Sequence, residues 1–574
     1  MFEIFRKLIQ LLSKKERMGI FFLTLLFFLT AVLDVVGLAF IVPFVNIIKD
    51  PSLINEYFYT RYFNEKFQFE NDRQFILYFG ACLLLYITAS QAFRMLCVYL
   101  QLKFTYGLQY RLTQSTTAEY LSKDYSFFVE NHSADLSKDI LSEISVIIIG
   151  LAIPALQLVS SIFLVLLIAS FLLYIDPFAM CLIIILFGGT YGGLILVTKT
   201  YQTKIGIKRF NANAQRFKIL NNIFSSVKEI KFYSRENLEV KNLNKATFEF
   251  ATAQSHSQGL SHLPKYFIET IILSVIIILS IYLSGVDGDS EVYFSIIITF
   301  AFGIYKLMPA LQQIFFSYSQ VRFNAPSLLN ISEVKPTQNI PNVTSLNVTA
   351  LPFDDYIALE NVSYRHPQSD QPCFQHLDLK VRKNSIIGIT GPSGGGKSTL
   401  VNLLLGVLKP DSGGLCIDGQ HLTTSETFKL HTIMSYVPQD IFIIDDTIAK
   451  NIALYGSDAE IDYKLLEKVI KITELESLIK HEMPKGFETV VGERGNRISG
   501  GQKQRIGLAR ALYRQPKILI LDEATSALDT ETEKRVMSHI SKLRNEMTII
   551  MIAHRLNTLD ICNEVYNIEQ LNSH

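Results

Sequence analysis

Three short segments in the last third of the chain have the residue types and spacing for phosphate chemistry. Gly391-Pro-Ser-Gly-Gly-Gly-Lys397-Ser398-Thr399 reads as a P-loop. Its glycines, Gly391, Gly394 and Gly396 among them, let backbone N–H groups curl around phosphates; Lys397 reaches the terminal phosphates and Ser398 offers a hydroxyl to Mg²⁺. Ile518-Leu-Ile-Leu-Asp522-Glu523 reads as a buried apolar strand ending in two acids. That pattern suits a Mg²⁺ partner, Asp522, followed by a carboxylate that orients or deprotonates water, Glu523. Between them lies Ser499-Gly500-Gly501-Gln502 at the start of a helical pattern, which presents backbone amides, a hydroxyl and a positive dipole end to a phosphate. The three together, in this order, predict a site for ATP with Mg²⁺.

The elements that position these groups resemble the nucleotide-binding domain of the ABC superfamily, an α/β P-loop ATPase domain. The likeness extends to further segments and assigns roles by resemblance. Tyr364, upstream of the P-loop, falls where the family places an aromatic residue against adenine. Gln439, in Tyr-Val-Pro-Gln-Asp, matches the glutamine that contacts Mg²⁺ and attacking water. Ser526-Ala-Leu-Asp529 matches the D-loop, His554 the switch histidine that contacts the γ-phosphate, and Val491-Gly-Glu493-Arg-Gly495 the X-loop of exporters. One departure is Ile498 in place of the usual leucine that opens the signature. Glu523 is intact, so the catalytic site is not degenerate. The family's sites are composite: the signature of one copy covers the nucleotide held by the P-loop of another. A homodimer is therefore expected, with a heterodimer as the alternative. Many members carry a further strand and helix after the switch histidine, and this domain looks trimmed there.

The rest of the chain is of a different kind. Hydrophobic residues make up 49% and charged residues 19% of 574, which is wrong for a purely soluble ATPase and right for a chain with membrane spans. A net charge of +1 gives no global field that points to nucleic acid. Six cysteines are scattered without CxxC or Cys/His pairing, so spacing indicates neither a zinc site nor a disulfide framework.

Residues 1–17 read as an amphipathic elbow helix at the membrane interface. Six apolar stretches follow, at 19–47, 75–96, 146–175, 178–197, 266–284 and 292–311, each near the ~20 residues needed to cross a bilayer. Asp176-Pro177 breaks the third from the fourth, and 285–291, with Asp287 and Asp289, forms an acidic exterior turn. Polar residues with aromatics at 52–67 suggest a short external helix. The basic N-terminus predicts a cytoplasmic start, and six spans return the chain to the cytosol. Two long polar connections, 101–145 and 198–265, read as helical extensions turning near 123–131 and 228–236. In similar exporters such turns dock on the ATPase domain. The expected fold is thus an α-helical six-span transmembrane domain over 1–323 with these extensions, a Pro- and Asn-rich linker over 324–355, and the ABC nucleotide-binding domain over 356–574. The expected location is a bacterial inner membrane.

Ionisable residues within the spans mark candidate function: Asp34, Arg94, Glu269 and Lys306. Arg94 and Glu269 lie near inner span ends and are expected to snorkel. Asp34 and Lys306 lie roughly 20 Å deep and are expected to face a cavity or pair together. Tyr305-Lys306-Leu-Met-Pro309, Phe93-Arg94 and Val42-Pro43-Phe44 resemble bacterial flippases for lipid-linked oligosaccharides. That resemblance implies a polyprenyl-pyrophosphate-linked glycan as substrate, with Lys306 and Arg94 facing its pyrophosphate. A drug or phospholipid exporter is the alternative within transport, and a regulatory membrane ATPase without cargo is the alternative outside it. The spans exclude a soluble ABC ATPase.

Overall fold

Apolar runs with almost no charge become long helices here, because a backbone in hydrocarbon must satisfy its polar groups within its own segment. In the computed structural model the described residues are 1–56, 58–284, 290–334, 351–367, 369, 371–423, 426–454, 461–553 and 555–571. They belong to two compact units, Met1–Lys123 with Phe127–Pro341, and Asp124–Ser126 with Asn342–His574.

The first unit contains α1 (Phe2–Gln10), α2 (Lys14–Lys49), α3 (Phe58–Phe67), α4 (Asp72–Leu121), α5 (Tyr125–Glu130, all but its first two residues), α6 (Ser133–Ile175), α7 (Pro177–Ser225), α8 (Val227–Phe232), α9 (Glu236–His262), α10 (Pro264–Ser284) and α11 (Ser290–Val334). Their ends follow local chemistry. Ser13 and Glu16 form a reciprocal capping box at the start of α2. Asp176 accepts from the N–H groups of Phe178 and Ala179 while Pro177 takes the first helical position of α7. Among the described residues, α2, α4, α6 and α7 are long and apolar enough to cross a membrane. At 50 and 49 residues, α4 and α7 are each roughly 75 Å long, more than twice the hydrocarbon thickness. Their polar halves are the extensions expected from sequence, and α5 and α8 are short helices at the expected turns.

One expectation changes. Residues 324–334, read as the start of the linker, are the last turns of α11, with Pro326 inside the helix. The turn at 285–289, including Asp287 and Asp289, lies outside the described residues, as do 335–350.

Close approach and buried charge hold α6, α7 and α11 together. A Cβ on Gly206 would lie 2.2 Å from the Phe323 carbonyl oxygen, so only glycine lets α7 and α11 meet there. Beside it Glu143, fully buried, accepts from Arg209 (3.0 Å), Asn213 (2.7 Å) and Ser327 (2.5 Å). Each donor offsets part of the cost of taking a carboxylate out of water.

The second unit has two sheets. β1 (Tyr356–Tyr364), β2 (Phe374–Arg382), β4 (Ser412–Ile417) and β5 (Gln420–His421) form an antiparallel sheet in the order β2-β1-β4-β5. β3 (Ile386–Thr390), β6 (Met434–Val437), β7 (Ile518–Asp522), β8 (Thr548–Ile552) and β9 (Glu564–Asn567) form a sheet in the order β6-β7-β8-β3-β9, every pair parallel. β7 and β8 are buried throughout, as central parallel strands must be. Helices α12 (Lys397–Leu404), α13 (Thr427–Leu430), α14 (Ile448–Ala453), α15 (Tyr463–Ile472), α16 (Gly500–Tyr513), α17 (Thr530–Lys542) and α18 (Ile568–Leu571) complete it. β9 follows position 554 and pairs with β3, and the short α18 follows β9.

Candidate nucleotide site and membrane cavity

In a parallel sheet the loops leaving the C-terminal strand ends share one edge, where ligands bind. The predicted groups gather there. The P-loop leaves β3, Gln439 follows β6, Asp522 and Glu523 end β7, and position 554 follows β8. Ser393, Gly394, Gly396, Lys397, Ser398, Thr399, Gln439 and Glu523 line one open cavity of about 580 Å³. His554 itself lies outside the described residues.

Backbone geometry explains the glycines. Gly394 and Gly396 have φ of 80° and 92°, in the left-handed region that side chains disfavour. Alternating such residues with ordinary ones turns successive N–H groups toward one concavity. Lys397 opens α12 and is buried, its Nζ donating to the carbonyls of Gly391 and Pro392 at 2.8 Å each. Those are weak acceptors compared with phosphate oxygens, so the ammonium is held ready for a stronger partner.

Glu523 is displaced from the strand by an unusual backbone. Its φ of 50° is left-handed for a non-glycine residue, a strain found at functional sites. The carboxylate accepts from Gln439 Nε2 at 2.8 Å. Asp522 is buried and accepts from the Tyr436 hydroxyl at 3.3 Å. Burial first, and the Asp522 charge second, hold that phenol well above its ordinary range, so it stays a donor. The cavity presents the Ser398 and Thr399 hydroxyls, the Gln439 amide and the Glu523 carboxylate, with Asp522 one residue before Glu523 at the end of β7, an oxygen-rich donor set that suits Mg²⁺. The residues present therefore fit both groups, ATP and Mg²⁺.

Tyr364 does not stand at this cavity in the way expected. It is buried in the core under β1, and its ring meets the His366 ring edge-on at 5.0 Å. His366 is the exposed ring, with Nε2 3.1 Å from Thr399 Oγ1 on the P-loop helix. Strand alternation carries the signal: Val362 and Tyr364 share the core face of β1.

The signature stands apart. Ser499 caps α16, its hydroxyl accepting from the Gln502 N–H while Gln502 Oε1 accepts from the Ser499 N–H. Ser499 and Gly500 are exposed, and none of Ser499–Gln502 lines the P-loop cavity. A Cβ on Gly501 would lie 3.0 Å from the Ala527 carbonyl oxygen. Gln504, one turn on, bonds Ser526 Oγ, the Glu523 carbonyl and the Ala527 N–H, coupling signature helix and D-loop. Sequence reasoning missed that residue, and also Glu533, which accepts from Thr525, Arg555 and Thr558. Asp529 caps α17 by accepting from the Thr532 N–H, a bond that lowers its carboxyl below the usual range.

In the membrane unit, α2 contributes Asp34, which is buried between two cations. Lys306 Nζ on α11 lies 2.8 Å from one oxygen and Arg94 Nη1 on α4 lies 3.4 Å from the other. Arg94 was expected to snorkel; it turns inward because this carboxylate is within reach. Arg94 and Lys306 line a cavity of about 660 Å³ with Gln91, Gln101, Gln157 and Gln313. Two cations on one anion leave the cluster with an excess positive charge. Glu269 is half-buried and does not join it.

Residues 20–311, about half of the chain, match the ABC transporter transmembrane region, and residues 374–526 match the ABC transporter ATP-binding model. Among curated proteins the chain is similar to the ATP-dependent lipid A-core flippase of Vibrio parahaemolyticus, 30% identical over 52% of this chain and 51% of that protein. It is similar also to the one from Vibrio vulnificus, 28% identical over 65% and 62%. The chain thus spans about half to just under two-thirds of the length of these relatives. The structure of a bacterial Atm1-family ABC exporter with ATP bound has the same fold: TM-score 0.76, 21% identity, 96% of this chain and 93% of that one. A transmembrane region over half of the chain, followed by an ATP-binding domain with its P-loop and signature, places this chain in the ABC transporter family.

Proposed function

We propose that the chain hydrolyses ATP at sites shared between two copies of itself and uses that cycle to flip a polyprenyl-pyrophosphate-linked oligosaccharide across a bacterial inner membrane. The observation that carries the substrate class is the Asp34–Arg94–Lys306 cluster. An excess positive charge beside four glutamines suits an anionic, hydroxyl-rich headgroup and not a hydrophobic drug. The names of the Vibrio relatives support a second reading, a lipid A-core glycolipid.

On the ATPase side the phosphates would be held by Lys397 and the loop N–H groups. Ser398, Asp522 and Gln439 would hold Mg²⁺, which supplies charge neutralisation when bound. Glu523, aimed by Gln439, orients the attacking water, and the role of His554 on the γ-phosphate rests on its position after β8. ATP joins the two copies and hydrolysis releases them, a difference in affinity that drives the membrane unit. The N-terminus and the ATPase domain are cytoplasmic in this reading.

We assign the adenine contact to His366 instead of Tyr364. Loss of base stacking costs roughly 1–3 kcal/mol. His366→Ala is therefore expected to weaken nucleotide binding about 5- to 150-fold, measured with a fluorescent ATP analogue. Unchanged affinity would return the role to another residue.

The substrate reading is tested in reconstituted vesicles. Replacing Arg94 and Lys306 with Gln would leave the buried Asp34 carboxylate uncompensated, at several kcal/mol. The Asp34→Asn, Arg94→Gln, Lys306→Gln triple variant avoids that while removing the net charge. It is expected to flip the pyrophosphate-linked glycolipid at least about tenfold more slowly while hydrolysis falls much less. Wild-type protein that flips no glycolipid but exports a hydrophobic dye refutes the proposal in favour of a drug exporter. Wild-type protein that flips only the lipid A-core substrate supports the second reading.

A further inference from the structure

The antiparallel sheet brings together three side chains that lie far from one another in sequence. Cys416 on β4 pairs directly with His421 on β5, and Glu360 on β1 pairs with Gly414, two residues before Cys416 on the same face. Gly414 leaves the gap in which the other two meet. A Cβ there would already lie 3.3 Å from His421 Nδ1. The Cys416 sulfur, a His421 ring nitrogen and a Glu360 carboxylate oxygen all lie within 4.8 Å of one another. We propose that Glu360, Cys416 and His421 form a zinc site, with three protein ligands and a fourth position for water.

The donor set and its geometry both point to zinc. Thiolate, imidazole and carboxylate are the three ligand types that Zn²⁺ takes, whereas Mg²⁺ and Ca²⁺ prefer oxygen alone. A nitrogen and an oxygen bonded to one tetrahedral zinc at ~2.0–2.1 Å stand about 3.3 Å apart. His421 Nε2 and Glu360 Oε2 are 3.3 Å apart. Cys416 is wholly buried, whereas His421 and the Glu360 side chain reach solvent, so the site is closed at the sulfur and open on the imidazole and carboxylate side. The metal would tie the two-residue β5 to β4 and β1.

Proton linkage follows. Burial first, and the Glu360 carboxylate second, push the Cys416 thiol up, so the metal-free site keeps its proton at neutral pH. Zinc must displace that proton.

These residues do not line the P-loop cavity, so the proposal stands independently of the ATPase reading. The test uses full-length, tag-free protein in detergent without nucleotide. Zn²⁺ is titrated in competition with a chromophoric chelator, and Co²⁺ binding is followed in the near ultraviolet. Wild type is expected to take up one Co²⁺ per chain with a thiolate-to-cobalt charge-transfer band. That band should vanish in Cys416→Ser. His421→Asn, an exposed change that leaves the core intact, should weaken Zn²⁺ by more than the ~10–100-fold that loss of a ligand's partner costs. Wild-type Co²⁺ binding without the charge-transfer band, or zinc affinity unchanged in both variants, overturns the proposal.

Discussion

Purified Glu523→Gln is expected to bind ATP within about threefold of wild type and to lose roughly 10²–10⁴ in turnover, the usual worth of a positioned base or water-orienting carboxylate. The swap is nearly isosteric. The left-handed backbone at 523 is a property of the turn after β7 and is kept, and Gln439 can still bond the new amide oxygen at the place where it now donates to Glu523. What is lost is a negative charge that polarises water. The groups proposed to bind phosphate, Lys397 and the glycine backbone, are on another loop and are untouched. Phosphate release and nucleotide binding measured on one preparation separate the two effects. Turnover near the wild-type rate would show that Glu523 is not the catalytic carboxylate.

The second large effect is expected from mixed dimers. Within one chain the cavity is walled by the P-loop, Gln439 and Glu523, while the signature at the start of α16 is exposed elsewhere. If a second copy supplies that signature, Lys397→Ala on one subunit and Ser499→Arg on the other put both lesions at one nucleotide. The other site stays complete, and about half of the bound ATP should survive. Both changes on the same subunit damage both sites, and binding should fall at each. Ser499→Arg also removes a helix cap, at about 1 kcal/mol, so melting of each variant chain is the control. Equal ATP binding in the two arrangements would mean that each chain holds its nucleotide alone.

The sequence by itself determined the features whose partners are local. Lys397 acts with backbone within a few residues, Ser499 caps its own helix, and the apolar runs satisfy their own hydrogen bonds. A contiguous motif carries its own geometry, so the P-loop, the strand that ends at Asp522 and the membrane helices are readable along the chain. The buried position of Tyr364 was legible too: a period of two puts it on the core face with Val362, leaving His366 as the exposed ring. Proline and Asn/Thr/Ser cues suggested a linker from 324, where packing of α11 against α6 and α7 instead carries the helix on to Val334.

Only the tertiary structure decided the contacts that cross the chain. Asp34 meets Arg94 and Lys306 across separations of 60 and 272 residues, and no spacing rule connects them. A buried carboxylate draws in whichever cations the packing brings near, and that choice is made by helix neighbours. Glu143, Arg209 and Ser327 join for the same reason. The cysteines had no metal-binding spacing, yet strand register sets Cys416 beside His421 and next to Glu360. Register is fixed by which side chains must face the core, a property of the whole sheet. That is why chemistry on a loop was legible in the sequence, and chemistry shared between strands or helices was not.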